Sequence, residues 1–496
     1  MTYGRQPRVN EEINWVTDED GNVLGFMKDA RTFVPIAALN TDPLTGKIAG
    51  LVGPDGAQVL PYLGVTNPAF MQVMTTLKEG LYSPSITVMG DSTGFPDYQW
   101  PRKLADKFAA DFPSLRVQYQ RFNDATQDYD ATVVVAAGAG ERSVRFTGVK
   151  GRYQPAADVG DWTTDLDLRA KISMDNWNSG TQQSIISRLN STNGQKAFNF
   201  YQFFGTLRLD VSVDGSATST ATSSIAPTVS AGQTIWVRST YTSADGSVRF
   251  YTGTDGVNWT QLGTTIASGV TGVLFKPASK DYEIGSMNGV ASSGAGSSQL
   301  LTGNIYAVQI RDGIGGPVMN AQPIESWAYA NGDGTSLAGA QTLYINNGSI
   351  PGATLAYLSN ATRLKMLVQP SQPNLLIASC SHNDLAAITK SQLFDPWDAF
   401  LTALKARLPE STFAICTQNP KTSPALFIEA HGQRVKRLMT WAARNNVAVI
   451  DTYASFIADP RGLPALIDPA DGIHPLSAGG DLWASSVYSR FVANKL

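Results

Sequence analysis

The sequence is poor in the residues that mark several large functional classes. Only 16% of its residues are charged, and 38 Lys and Arg nearly balance 41 Asp and Glu, leaving a formal charge of -3. Such a balance creates no basic field able to hold a polyanion, so nucleic acid is not an expected partner. The two cysteines, Cys380 and Cys416, sit inside the apolar runs "LLIASC" and "TFAIC". That placement argues against a disulfide framework and fits buried thiols. With three histidines, and neither a metal-ligand cluster nor a phosphate-binding loop, neither metal nor cofactor is expected. No run reaches the ~18 apolar residues of a membrane span, and "MTYGRQPRVNEEINW" lacks a basic stretch followed by an apolar one. Membrane insertion and a signal peptide are therefore not expected.

What is present changes texture along the chain. Residues 1–80 carry turn signals at "EDGN", "DPLTGK" and "GPDG" between short apolar pieces, which predicts short strands and loops with little core. From residue 85, "SITVMG" is a β-branched run ending in glycine. "WPRKLADKFAADF" follows, with Leu104, Phe108 and Phe112 near helical spacing and Pro101 near the helix start. Strand, loop and helix together open an α/β unit. Between 144 and 330 the chain turns to Ser, Thr and Gly with Asp-Gly turns, as in "TSADGSVRFYTGTDGVNWTQLG", which predicts an antiparallel β-sandwich. The α/β signal then returns with "QTLYINNG", "PNLLIASCS", "STFAICTQNP" and "NVAVIDTY" as buried parallel strands. The expected organisation is an α/β domain of residues 81–143 and 331–496 interrupted by a β-domain of 144–330.

In an open parallel sheet the strand C-termini converge on one edge, so residues just after strands are those able to meet in a site. Ser92 follows "ITVMGD", and Gly90 would let the chain turn so that the hydroxyl projects. "NGSIPGAT" makes Gly352 a candidate backbone N–H donor. "SHND" supplies Asn383, whose amide can donate to an oxyanion, beside Asp384, whose charge would oppose that. "DGIHP" separates Asp471 from His474 by three positions, close enough on a tight loop for the carboxylate to hold the imidazole. Each pattern alone is an ordinary turn or helix cap.

Their conjunction is not ordinary. "GDS" at 90–92, "SIPGAT" at 349–354, "SHND" at 381–384 and "DGIHP" at 471–475 resemble, in order, the four blocks of the SGNH (GDSL) hydrolases. The resemblance covers residues 85–143 and 335–496 and implies a flavodoxin-like three-layer domain with a parallel sheet. It further implies Ser92 as nucleophile, His474 as base and then acid, and Asp471 as its orienting partner. The N–H groups of Ser92 and Gly352, with the Asn383 side chain, would hold the oxyanion. Two departures stand out: Ser381 replaces the usual glycine of the third block, and 260 positions separate Ser92 from Gly352. His382 and His431 are read as structural.

The stretches "VRFYTGTDGVNWTQLG" and "LTGNIYAVQIRDGIGG" resemble the laminin-G or concanavalin-like jelly rolls. That resemblance raises glycan binding, with Trp177, Tyr201, Trp236 and Trp259 as stacking candidates or core residues. Asp175, Asn176 and Asn178 offer too few oxygens for calcium, which takes six to eight. The N-terminal segment resembles that of phage tail-spike and tail-fibre proteins, which implies virion attachment, a homotrimer and action at the host surface. The expected function is removal of O-acyl groups, chiefly O-acetyl, from a bacterial surface polysaccharide. The rivals are a short-chain esterase or lipase and a noncatalytic glycan-binding adhesin.

Overall fold

The computed structural model describes residues 68–492 except 81, 150, 156–158, 191–193, 279–280, 288–298, 321–334, 385–389, 410 and 424, together with seven strands between residues 2 and 60. It forms two compact units. One is Thr75–Asp384 with Pro396–Ser411, and the other is Met1–Met74 with Leu385–Asp395 and Thr412–Leu496.

In the larger unit the strand Ser85–Gly90 lies between Thr342–Asn347 and Leu375–Ser379, with Arg116–Asn123 beyond, and all four run parallel. The Ser85 strand is buried along its whole length, which is why it reads as an uninterrupted apolar run rather than an alternating one. Helix Trp100–Asp111 connects it to the Arg116 strand and buries Trp100, Leu104, Ala105 and Phe108, while Phe112 caps its end. The expectation of a purely parallel sheet needs correction. Asp128–Tyr129 and Val133–Ala136 both pair antiparallel with the Arg116 strand. Short connections leave no room for a crossover, so the added strands must double back.

The same unit contains two antiparallel sheets built from residues 143–338. Their facing sides share one apolar core in which Trp162, Phe198 and Tyr282 meet edge-on or tilted. Alternation does the sorting: Leu166, Leu168, Ala170 and Ile172 enter the core, while the residues between them face the other way. The expected boundary at residue 330 is too early, because Thr335–Ala338 pairs with Ser143–Thr147 and completes this sheet. Non-local pairing of that kind leaves no local signal. Of the stacking candidates, Trp177, Tyr201 and Trp236 are buried and Trp259 is half-buried. The Asp175 carboxylate is held by Arg145 at 2.6 and 2.7 Å, and Asn176 caps its own turn.

The smaller unit pairs Thr412–Cys416 in parallel with Ala448–Ile450, joined through helix Ala425–Arg444. Cys416 serves packing: its sulfur accepts from the Trp483 indole at 3.0 Å and contacts the Thr452 hydroxyl at 2.9 Å. Burial pushes this thiol up to about 12, so it remains protonated. The N-terminal strands form one four-stranded and one three-stranded antiparallel sheet. Residues 68–79, expected as loop or strand, form a helix instead. Phe70, Val73 and Met74 bury one helical face, and Phe70 meets Phe491 edge-on at 5.0 Å. Among the described residues, no helix is long and apolar enough to cross a membrane.

Candidate active site

Ser92 stands two residues beyond the strand Ser85–Gly90 and is half-buried. Its loop is tied by Asp91, a fully buried carboxylate that accepts from the Thr93 N–H at 3.0 Å and hydroxyl at 2.8 Å. Gly90 does not act through a turn. Its backbone lies outside the left-handed region, and a Cβ there would stand 2.8 Å from Ser379 O and 2.9 Å from Ser349 Oγ. Glycine is required because the neighbouring strand and loop crowd that position.

The same crowding brings the second and third blocks to the first. Ile350 N–H donates to Gly90 O at 3.0 Å, and the Asn383 side chain donates to Ala353 O at 3.0 Å. Gly352, at φ +74, occupies a conformation that favours glycine, with no atom within 4 Å of where a Cβ would sit. Among the described residues its N–H has no hydrogen-bond acceptor. Both carboxylate oxygens of Asp384 accept from Leu355 N–H at 3.3 Å.

In the other unit Asp471 and His474 meet. Asp471 Oδ2 lies 2.6 Å from His474 Nδ1, while Oδ1 accepts from the N–H groups of Ile473 at 2.7 Å and His474 at 3.0 Å. Burial pushes the carboxyl up, but these hydrogen bonds more than reverse it, so Asp471 sits below the ordinary carboxylate range. An ionised carboxylate on Nδ1 selects the tautomer with its proton there, leaving Nε2 as the basic nitrogen. Gly472, at φ +68, fits against Ser423, whose backbone N would stand 2.5 Å from an added Cβ.

Two asparagines position these loops and escaped the sequence reading. Asn347, fully buried, donates to Gly94 O at 2.8 Å and Tyr119 Oη at 3.0 Å, and accepts from Ser349 N–H at 3.1 Å. Asn419, also fully buried, donates to Ile473 O at 2.8 Å, and its own carbonyl faces His431 Nε2 at 3.0 Å. Burial, reinforced by Arg434 and Lys421, lowers His431 to about 3 and keeps it neutral. The available signal was position: Asn347 ends its strand in "TLYINNG" and Asn419 follows its strand in "TFAICTQNP".

Residues 313–482 match the family of GDSL-like lipases and acylhydrolases. This stretch carries a GDSL-like lipase/acylhydrolase domain. Gly352, Asn383, Asp471 and His474 fall within the matched range, whereas Ser92 lies before it. The domain assignment supports an ester hydrolase.

No curated protein matches the chain. Among solved structures, the chain is similar to a lipase/acylhydrolase from Enterococcus faecalis, at 20% identity and TM-score 0.26 over 31% of this chain and 77% of that one. It is similar to an acetyl xylan esterase from Geobacillus stearothermophilus, at 19% and 0.25 over 31% and 73%. It is also similar to a heptameric SAP-like pentraxin from Limulus polyphemus, at 18% and 0.30 over 40% and 95%.

Proposed function

We propose that the protein is a cofactor-independent serine esterase with Ser92 as nucleophile, His474 as general base and acid, and Asp471 as its orienting carboxylate. The observation that carries this reading is the 2.6 Å pairing of Asp471 with His474 Nδ1. It fixes the imidazole in the tautomer that can take a proton at Nε2. Ser92 Oγ adds to the ester carbonyl carbon and its proton passes to His474. The carbon–alkoxide bond then breaks, the alkoxide takes that proton, and water releases the acyl group by the same steps. The N–H groups of Ser92 and Gly352 and the Asn383 amide hold the developing oxyanion.

The substrate we propose is an O-acylated, chiefly O-acetylated, bacterial surface polysaccharide. The protein then serves as a trimeric phage tail component at the host surface, a role supported by the texture of residues 1–80. Acetate release from acetylated polysaccharide is measured for the wild type and Ser92→Ala, with p-nitrophenyl acetate as a small ester. Release by the wild type alone is expected on both substrates. Equal release by Ser92→Ala would overturn the nucleophile, and hydrolysis of the small ester alone would remove the polysaccharide.

A further inference from the structure

The larger unit contains a cleft of about 630 Å³ lined on one side by the strands Arg116–Asn123 and Thr342–Asn347 and on the other by Leu166–Met174, Ile235–Tyr241 and Thr302–Asp312. Its size falls within the roughly 300–1,000 Å³ of small-molecule sites. The residues facing it follow from strand alternation. On the Leu166 strand, even-numbered positions fill the apolar core, and Arg169 and Lys171 line the cleft.

The cleft floor concentrates charged side chains in close ion pairs. Arg169 and Arg238 are direct cross-strand partners, a placement that repels unless an anion intervenes. Asp167, fully buried, supplies one: it takes both guanidinium groups in two-point contacts of 2.8–3.1 Å. Lys171 and Arg116 share Glu141 at 2.6 and 3.9 Å, and Arg311 pairs with Asp128. Five cations thus meet three carboxylates. The lining holds two further carboxylates: Asp130, engaged by Arg121 and Asn123, and Asp255, which keeps its charge while accepting from the N–H groups of its own turn. Burial lowers Arg311, with Arg169 adding to that effect and Asp128 opposing it.

Aromatic and amide groups accompany this charge. Trp236 and Trp259 stand edge-to-face at 6.3 Å, both arginines lie over the Trp259 ring, and Tyr306 sits 5.8 Å from Lys171. On the opposite wall, Gln120 donates to Asn346 at 2.7 Å. Aromatic faces cover the C–H side of a sugar ring, amides match its hydroxyls, and guanidinium and ammonium groups match a carboxylate.

We infer that this cleft binds an acidic sugar, a hexuronate unit of a polysaccharide, with its carboxylate near Lys171 and the Arg169–Arg238 pair. The inference deepens the polysaccharide reading above and rests on it for the choice of a sugar. Its test separates the two by using full-length Ser92→Ala, which removes hydrolysis, and titration calorimetry with tetragalacturonate and its carboxyl-reduced counterpart.

The acidic tetramer should bind about tenfold more tightly than the neutral one, and more weakly as ionic strength rises. Adding Lys171→Gln should weaken it by about tenfold. Should that variant unfold by circular dichroism, Tyr306→Ala provides the same test on the aromatic side. Equal binding of both tetramers, no binding of either, or unchanged affinity in a folded variant overturns the inference. So does displacement by sulfate at matching concentration, which would mark a site for free oxyanions. Lost binding beside intact wild-type hydrolysis would sink this inference alone. Binding beside absent hydrolysis would sink only the catalytic reading.

Discussion

Asp471 and Asp167 are both carboxylates held below their ordinary range by several donors, yet their surroundings differ in every respect that matters to chemistry. Asp471 draws its donors from within three residues, and its side chain is 41% exposed beside a His474 that is 37% exposed. Asp167 is 0% exposed and gathers Arg169 from its own strand, Arg238 from the neighbouring strand and the Gly315 N–H from a distant turn. A local, half-open pair can change protonation during a reaction. A closed cluster that joins neighbouring strands holds those strands in register. Exposure and sequence distance, more than the presence of an ion pair, therefore separate the two roles.

Substitution should break the comparison in opposite directions. Asp471→Asn is expected to lower kcat on ester substrates by about 10⁴ with thermal stability nearly unchanged, since a wrong tautomer costs about that much in a serine protease. A loss below tenfold would show that Asp471 does not orient the base. Asp167→Asn should do the reverse, costing about 3–5 kcal/mol of stability by stranding two buried guanidinium groups. Urea unfolding reads this, and a cost under about 1 kcal/mol, the range of an exposed pair, would remove its structural role.

Acid sharpens the same contrast. Burial raises the Asp167 pKa, but Arg169 and Arg238 bring it below its unfolded value. Its stabilisation is therefore complete above an unfolded pKa of about 3.9 and is lost as pH falls through the lower folded value. Melting temperatures below pH 4 should fall more steeply for the wild type than for Asp167→Asn. Parallel acid limbs would assign the acid sensitivity to other carboxylates. The smallest effect is expected from Asn383→Ala, which should keep the fold and lower kcat by about 10² to 10³, the cost of one oxyanion donor. Unchanged turnover would withdraw that donor from the site.

Legibility followed the same division between local and distant. The helix Trp100–Asp111 could be read from Pro101, Leu104 and Phe108, and the buried Ser85 strand from its β-branched run, because each signal lies within one turn or one strand. The same holds for Asp471 and His474, three positions apart. The helix Pro68–Glu79 was missed although Phe70, Val73 and Met74 carry its spacing; the turn-rich sequence before it masked the pattern. The Thr335–Ala338 strand and the joining of Asp167 to Arg238 had no local signal, since both depend on strand register between distant segments. Gly90 was legible as essential but for the wrong reason, because crowding by Ser379 and Ser349 appears only once the chain is folded.

That crowding bears on how the protein could be re-engineered. A library aimed at ester specificity would ordinarily randomise the residues flanking the proposed nucleophile, position 90 among them. Even alanine there must displace a backbone carbonyl of the adjoining strand, while the space beside Gly352 is open and limited only by its backbone angle. Diversity is better spent on loop residues beyond Ser92, leaving position 90 fixed as the point where strand spacing and serine placement are set by the same missing side chain.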